Sequence, residues 1–202
     1  MTSGRWRVEH AAPVLETGYF RVLRADVRRP DATLANYHTI DFLRPSVVIA
    51  LRDGGRTLLV RQQRFIVARD VWALPSGGVD DGEEPIAAAA RELAEETGYG
   101  ARRIAHALSY YPSYGATNQV FHCYVAEEPY PTRAHDPNEV EAVAWFDDAA
   151  VRAMIRDGTI PDGFSLTPLL YLLAGLAPQA PAEEARCRRV PLDTPTDGEG
   201  AA

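Results

Sequence analysis

The chain has 202 residues, 46 % of them apolar, and a formal charge of −7, which suits one globular domain with a sizeable core and unstructured ends and leaves little room for two. The negative charge argues against a broad nucleic-acid or anionic-membrane surface, because the long-range field repels polyanions before local contacts form; a compact anionic substrate is still admissible where a cation screens it. The two cysteines, Cys123 and Cys187, do not read as a structural disulfide, and no run of signal-peptide or membrane-span length is present, so a reducing cytoplasm without nucleic-acid or membrane partners is the expected setting.

Residues 1–15 are expected to be a flexible N-terminal segment, followed by a folded domain over 16–176 and a disordered tail over 177–202. Residues 19–27 and 37–42 alternate apolar and polar side chains and read as half-buried strands. Residues 46–51 and 57–60 flank Asp53, Gly54 and Gly55 and read as a hairpin. Gly77, Gly78 and Gly82 mark a loop after Trp72; Pro85 then opens an alanine-rich helix that runs to Thr97 and stops at Gly98. Strands are expected over 104–111 and 120–126, on either side of a loop with Pro112, Gly115 and Asn118, and again over 140–146. Two more helices, from 147 or 148 to 157 and over 166–174, are closed by Gly158 and Gly175. Beyond Pro178 the chain is rich in proline, alanine and acids, with little apolar surface to offset its ordering entropy.

In the central helix Ile86, Ala90 and Leu93 follow at spacings of four and three and are expected to form the stripe that meets a sheet. At roughly 100° per residue, Glu92, Glu95 and Glu96 project together from the other side, with Arg91 beside Glu95. Like charges at these spacings cost about 0.2–0.5 kcal/mol per pair, and the dipole of the last turns disfavours them further. A divalent cation reverses both effects, and clustered carboxylate oxygens suit magnesium or manganese. A solvated acidic helix face is the plainer alternative.

The neighbouring loop separates these readings. Gly77, five residues, Glu83, seven residues and then Arg91-Glu92-Leu93-Ala94-Glu95-Glu96-Thr97-Gly98-Tyr99 together resemble the Nudix box, with Tyr99 where that family usually has an aliphatic residue. The resemblance implies an α/β fold, a Nudix-type α/β/α sandwich with a mixed β-sheet and a loop-helix catalytic motif, and hydrolysis of a pyrophosphate bond. It implies metal ligands at Glu92, Glu95 and Glu96, with Glu92 and Glu96 as the core pair and with Glu83 and the carbonyl of Ser76 nearby, and Mg2+ or Mn2+ as cofactor. Arg91 would hold a glutamate in one rotamer through its fork of donors, or be a surface ion pair of little worth. Glu83 also reads as an acid near a helix start. Gly77 and Gly78 would let backbone approach metal and phosphate closely.

A water activated by the metals would attack phosphorus, and a carboxylate outside the helix would accept its proton. The loop from His135 offers Asp136, Glu139 and Glu141; Glu139 is the favoured candidate, and each also reads as a solvated loop acid. The flanks resemble the ADP-ribose and nucleoside diphosphate sugar pyrophosphatase branch. There Arg64, in Leu59-Val60-Arg61-Gln62-Gln63-Arg64, would contact substrate, Pro112 would belong to a recognition loop with Gly115, Asn118 and Gln119, and Tyr19 would stack on adenine. The alternatives are a strand-end charge, a hairpin turn and a core aromatic. Ala73 stands where the branch often has glutamate. The implied reaction is ADP-ribose to AMP and ribose 5-phosphate by a homodimer; ADP-glucose, GDP-mannose, a dinucleotide, or sensing of a nucleotide sugar without turnover are alternatives. An isomerase on the same scaffold would need Cys123, which also reads as a small buried strand residue.

Overall fold

Apolar alternation and unbroken apolar runs together lay out most of the strands. The structure, a computed structural model, describes residues 4–132, 135, 139–176 and 192, so the greater part of the predicted tail, with Cys187, and also Asp136 lie outside the described residues. Contacts divide the chain into two compact units, one holding residues 4–44 and 113–119, the other 45–112 and 120–176.

In the first unit β1 (Arg7–Glu16), β2 (Phe20–Arg28) and β3 (Leu34–Phe42) form an antiparallel sheet in that order. The sequence reading leaves residues 1–15 outside the fold, yet β1 pairs with β2 from Arg7 opposite Arg28 to Glu16 opposite Arg21. Its side chains are mostly exposed, so it lacks the alternation that advertises a strand and is held chiefly by the backbone ladder. The segment 113–119 is fixed to β3: Ile40 N–H donates to the carbonyl of Ala116 at 2.9 Å and Phe42 N–H to Asn118 Oδ1 at 2.8 Å.

The second unit is built on β4 (Ser46–Asp53), β5 (Arg56–Arg64), β6 (Arg69–Ala73), β7 (Ser76–Gly78), β8 (Tyr99–Tyr110), β9 (Phe121–Pro131) and β10 (Ala142–Asp147). The path runs β10-β5-β4-β9-β8, with β6 on β5 and β7 on β4. Only β4 and β9 run parallel, so the sheet is mixed. Gly54 and Gly55, at φ 55° and 80°, supply the two left-handed residues of the β4–β5 turn. The other end of β4 pairs with β7 instead, Val47 opposite Gly77. A glycine segment expected to be a loop thereby becomes a strand.

Helix α1 (Pro85–Thr97) covers one face, where Ala88, Ala89 and Leu93 meet Val47, Ile49, Leu51 and Tyr124. On the opposite face α2 (Asp148–Arg156) and α3 (Gly163–Leu173) bring Val151 and Leu169 onto Val48, Ala50, Leu59, Phe121 and Cys123. The residues of β4 thus alternate between two covered faces, which is why its apolar run is unbroken. This is the expected α/β/α sandwich. Helix α3 begins before residue 166 because Asp162 caps it, its side chain accepting from Ser165 N–H at 2.8 Å. Among the described residues no helix is long and apolar enough to cross a membrane.

One expectation about α1 is wrong. Ile86 is 43 % exposed and Ala90 is exposed as well, whereas Ala88, Ala89, Leu93, Glu96 and Thr97 are buried. Four consecutive alanines at 87–90 carry no phase information, so the stripe was misplaced around the helix. The face that meets the sheet is the one that carries Glu96.

Candidate active site

Gly77 brings β7 against the last turns of α1. A Cβ added there would overlap the carboxylate of Glu92, so any other residue would displace that carboxylate from its place beside β7. Gly78 has open space where a side chain would stand, and its contribution is its carbonyl, which accepts from Arg91 Nη2 at 2.9 Å.

Arg91 gathers the acids on this side. Its Nη1 donates to Glu92 Oε1 at 2.7 Å and to Glu95 Oε2 at 3.2 Å. Its Nε and Nη2 donate to the two oxygens of Glu83 at 3.0 and 2.9 Å. The surface-pair reading of Arg91 therefore gives way to a guanidinium that organises three carboxylates and a backbone carbonyl. Glu83 is the fork partner: the Arg91 hydrogen bond first, then that from Asp80 N–H, holds its carboxyl below the usual range.

Glu96 is arranged differently. It is 7 % exposed; Oε1 accepts from Gln62 Nε2 at 2.9 Å and Oε2 from Ser76 N–H at 2.8 Å. Burial pushes its carboxyl up to about 7 against the opposing pull of those two hydrogen bonds, with the charge of Glu92 adding to the rise and that of Arg64 opposing it. Burial also raises Glu92, opposed by Arg91 and reinforced by Glu95 and Glu139. Both groups would be more comfortable beside an additional positive charge.

Among the described residues no three His, Cys, Asp or Glu side chains converge as a ready-made ligand set. Arg91 draws Glu92 and Glu95 to itself, while Gln62 and Ser76 hold Glu96. The donors nonetheless fit a divalent cation in kind: hard carboxylate oxygens, partly desolvated, near enough for Glu92 to raise Glu96, and a glycine that leaves Glu92 its space.

Other predicted residues fall variously. Glu139 is exposed, and its charge is felt at Glu92. Glu141 is engaged with Arg61, 3.6 Å away, and its N–H bonds the Arg61 carbonyl at 2.9 Å. Arg64 is exposed at the end of β5, and Pro112 is exposed too. Tyr19 belongs to the first unit and is 79 % exposed, so the core reading does not hold for it. Ala73 lies buried on β6 opposite Val60, an apolar position where the branch often has an acid. Cys123 is fully buried on the sheet face away from α1, and burial pushes its thiol up to about 12, so the small buried strand residue is the reading that fits it.

The sequence reading passed over Gln62. Its signal was there to find, because β5 alternates from Val60 to Gln63 and Gln62 is a polar residue at an inward position, between exposed Arg61 and Gln63.

A mixed sheet between two helical layers, with acids on a helix behind a glycine strand, is the arrangement that the Nudix resemblance implies. Residues 42–162 match the family model of the NUDIX domain, and the chain belongs to the Nudix family. It is 30 % identical over 182 residues, 88 % of this chain and 87 % of the relative, to a CMP-5'-(N-acetyl-N-hydroxy-3-aminopropyl)phosphonate hydrolase of Streptomyces rubellomurinus. It is 33 % identical over 103 residues, 51 % of this chain and 56 % of the relative, to an ADP-ribose pyrophosphatase of Bacillus subtilis. Among solved structures, the crystal structure of an ADP compounds hydrolase shares the fold, with a TM-score of 0.78 at 19 % identity over 87 % of this chain and 97 % of that one. Hydrolases of this family act on small nucleotide substrates and generally use divalent metals.

Proposed function

We propose that this chain hydrolyses the pyrophosphate bond of a nucleoside diphosphate sugar with a divalent metal, magnesium first, and that ADP-ribose, yielding AMP and ribose 5-phosphate, is its substrate. The observation that carries the proposal is Glu96, a carboxylate 7 % exposed whose hydrogen-bond donors, Gln62 and Ser76 N–H, are both neutral. Bound metal supplies Lewis acidity toward phosphoryl oxygens and lowers the pKa of a water.

The remaining work falls to the chain's own side chains. Glu92, Glu95 and Glu96 hold the metal, with the Ser76 carbonyl as a further candidate. Arg91, braced by Glu83, keeps the carboxylates oriented. Gly77 and Gly78 keep the approach of phosphate free of side chains. Arg64 offers an exposed guanidinium to a phosphate oxygen. Pro112 lines the recognition loop. Glu139 accepts the proton of the attacking water as its oxygen bonds to phosphorus and the bond to the leaving phosphate breaks. A homodimer, implied by the resemblance, is part of the same proposal.

A cytidine nucleotide is the second reading, favoured by extent: the CMP-phosphonate hydrolase is matched over 88 % of this chain, the Bacillus subtilis pyrophosphatase over 51 %. Chromatography of products from ADP-ribose, ADP-glucose, GDP-mannose, a dinucleotide and a CMP-linked phosphonate, with and without Mg2+, decides between them. Magnesium-dependent AMP from ADP-ribose is the expected result. CMP from the phosphonate with ADP-ribose untouched moves the assignment to the second reading, and no product from any candidate with Mg2+ or Mn2+ rejects both.

A further inference from the structure

We infer that Gln62 is a positioning residue whose buried amide ties the guanidinium of Arg64 to the carboxylate of Glu96, so that the anion-binding and metal-binding halves of the site are set by one side chain. The inference rests on the reading of Glu96 as a metal ligand. Gln62 is 5 % exposed at an inward position of β5. Its Oε1 accepts from Arg64 Nη2 at 2.5 Å and its Nε2 donates to Glu96 Oε1 at 2.9 Å.

The direction of this relay is forced by chemistry. A guanidinium has only donors and an ionised carboxylate only acceptors, so the amide oxygen must face Arg64 and the amide nitrogen Glu96. A flipped amide would set donor against donor at one end and acceptor against acceptor at the other. Glu96 Oε2 is meanwhile fixed by Ser76 N–H, so Gln62 is the remaining control on the rotation of that carboxylate. Arg64 spends one N–H on Gln62 and keeps others for a substrate oxygen. An anion drawn to Arg64 reaches Glu96 through two polarised hydrogen bonds. An inward strand position next to fully buried Val60 would otherwise take an apolar residue, since a buried amide left without partners costs about 1–3 kcal/mol.

The test measures Mn2+ affinity by electron paramagnetic resonance of free Mn2+ in the absence of substrate, alongside kcat and KM. The proteins are wild type, Gln62→Met, Arg64→Met, the double variant and Glu96→Gln. Losing a partner that orients a ligand weakens metal binding by about 10-fold or more, and this is expected for Gln62→Met together with a fall in kcat. Arg64→Met is expected to raise KM most and to weaken Mn2+ by a smaller factor, and that factor disappears in the Gln62→Met background because the relay is already cut. Wild-type Mn2+ affinity in Gln62→Met with weakened affinity in Glu96→Gln overturns the role of Gln62 alone. Unchanged affinity in Glu96→Gln overturns the metal-site reading and this inference with it. Additive losses in the double variant overturn the coupling. Should Gln62→Met fail to fold, Arg64→Met carries the test, and wild-type Mn2+ affinity there counts against the relay.

Discussion

Asp41 in the first unit and Glu96 in the second are the buried acids among the described residues, at 0 % and 7 % exposure, and their partners differ in charge. Asp41 accepts from the guanidinium of Arg21, through Nε at 3.0 Å and through Nη2, and from the amide of Asn118. Its negative charge is met inside the protein by a positive one. Glu96 has two neutral donors, and the cation that lowers its pKa, Arg64, contributes least among the causes of its shift. A buried carboxylate that is paired stabilises a fold; one left unpaired costs stability unless something else arrives. On the proposed reading of Glu96 as a metal ligand, the difference is that between a structural acid and a functional one.

The largest effect that would sharpen the contrast is on turnover. Glu96→Gln keeps the shape and removes the charge proposed to bind metal; losing about 4 kcal/mol of transition-state stabilisation lowers kcat on the order of 10³-fold. Stability of the metal-free variant is a separate matter. A glutamine presents one acceptor and one donor where Glu96 presents two acceptors to Gln62 and Ser76, so the gain from removing a buried charge is offset by one mismatched contact, and the net change stays within about 1 kcal/mol. Steady-state assays and denaturant melts in chelator read the two. A variant with full activity would place Glu96 beside Asp41 in the structural class.

Asp41→Ala should show the mirror image. It strips Arg21 and Asn118 of their shared acceptor, and breaking a buried pair from one side costs about 3 kcal/mol, discounted somewhat because the Arg21 side chain is 23 % exposed and can turn to water. Urea melts should show the loss, while kcat per folded molecule is kept. A fall in kcat at unchanged stability would erase the distinction drawn above.

How far the sequence alone reaches depends on where each residue's partners lie. The carboxylates, the arginine and the glycines of the central motif were legible because they are contiguous and their spacing is specified. The orientation of α1 was not, since alanines 87–90 do not tell one face from another and the buried side includes a glutamate. β7 escaped notice because Ser76-Gly77-Gly78 has no side-chain alternation; its pairing with Val47 and Val48 is a property of the assembled sheet. The ties of Asp41 to Asn118 and of Gln62 to Glu96 span 77 and 34 residues, a separation that periodicity does not read. Glu141, one of three acids on the predicted loop, was set apart from Glu139 only by its link to Arg61.

Cys123 gives the comparison its third and smallest arm. Like Glu96 it is desolvated, but a thiol stays neutral at little cost, so burial silences it where burial poises the glutamate. With its pKa pushed up to about 12, only about one thiol in 10⁴ is ionised at pH 8, against roughly one in ten for a group at the ordinary value near 9. In a Cys187→Ser background, so that one thiol reports, iodoacetamide at pH 8 should leave the native protein unmodified over the time in which the urea-unfolded chain reacts fully, as read by intact mass. Alkylation of the native protein at a rate near that of the unfolded chain would mean that the far face of the sheet opens to solvent. Burial would then no longer separate silent ionisable groups from poised ones, and a cysteine-based reaction would again be open.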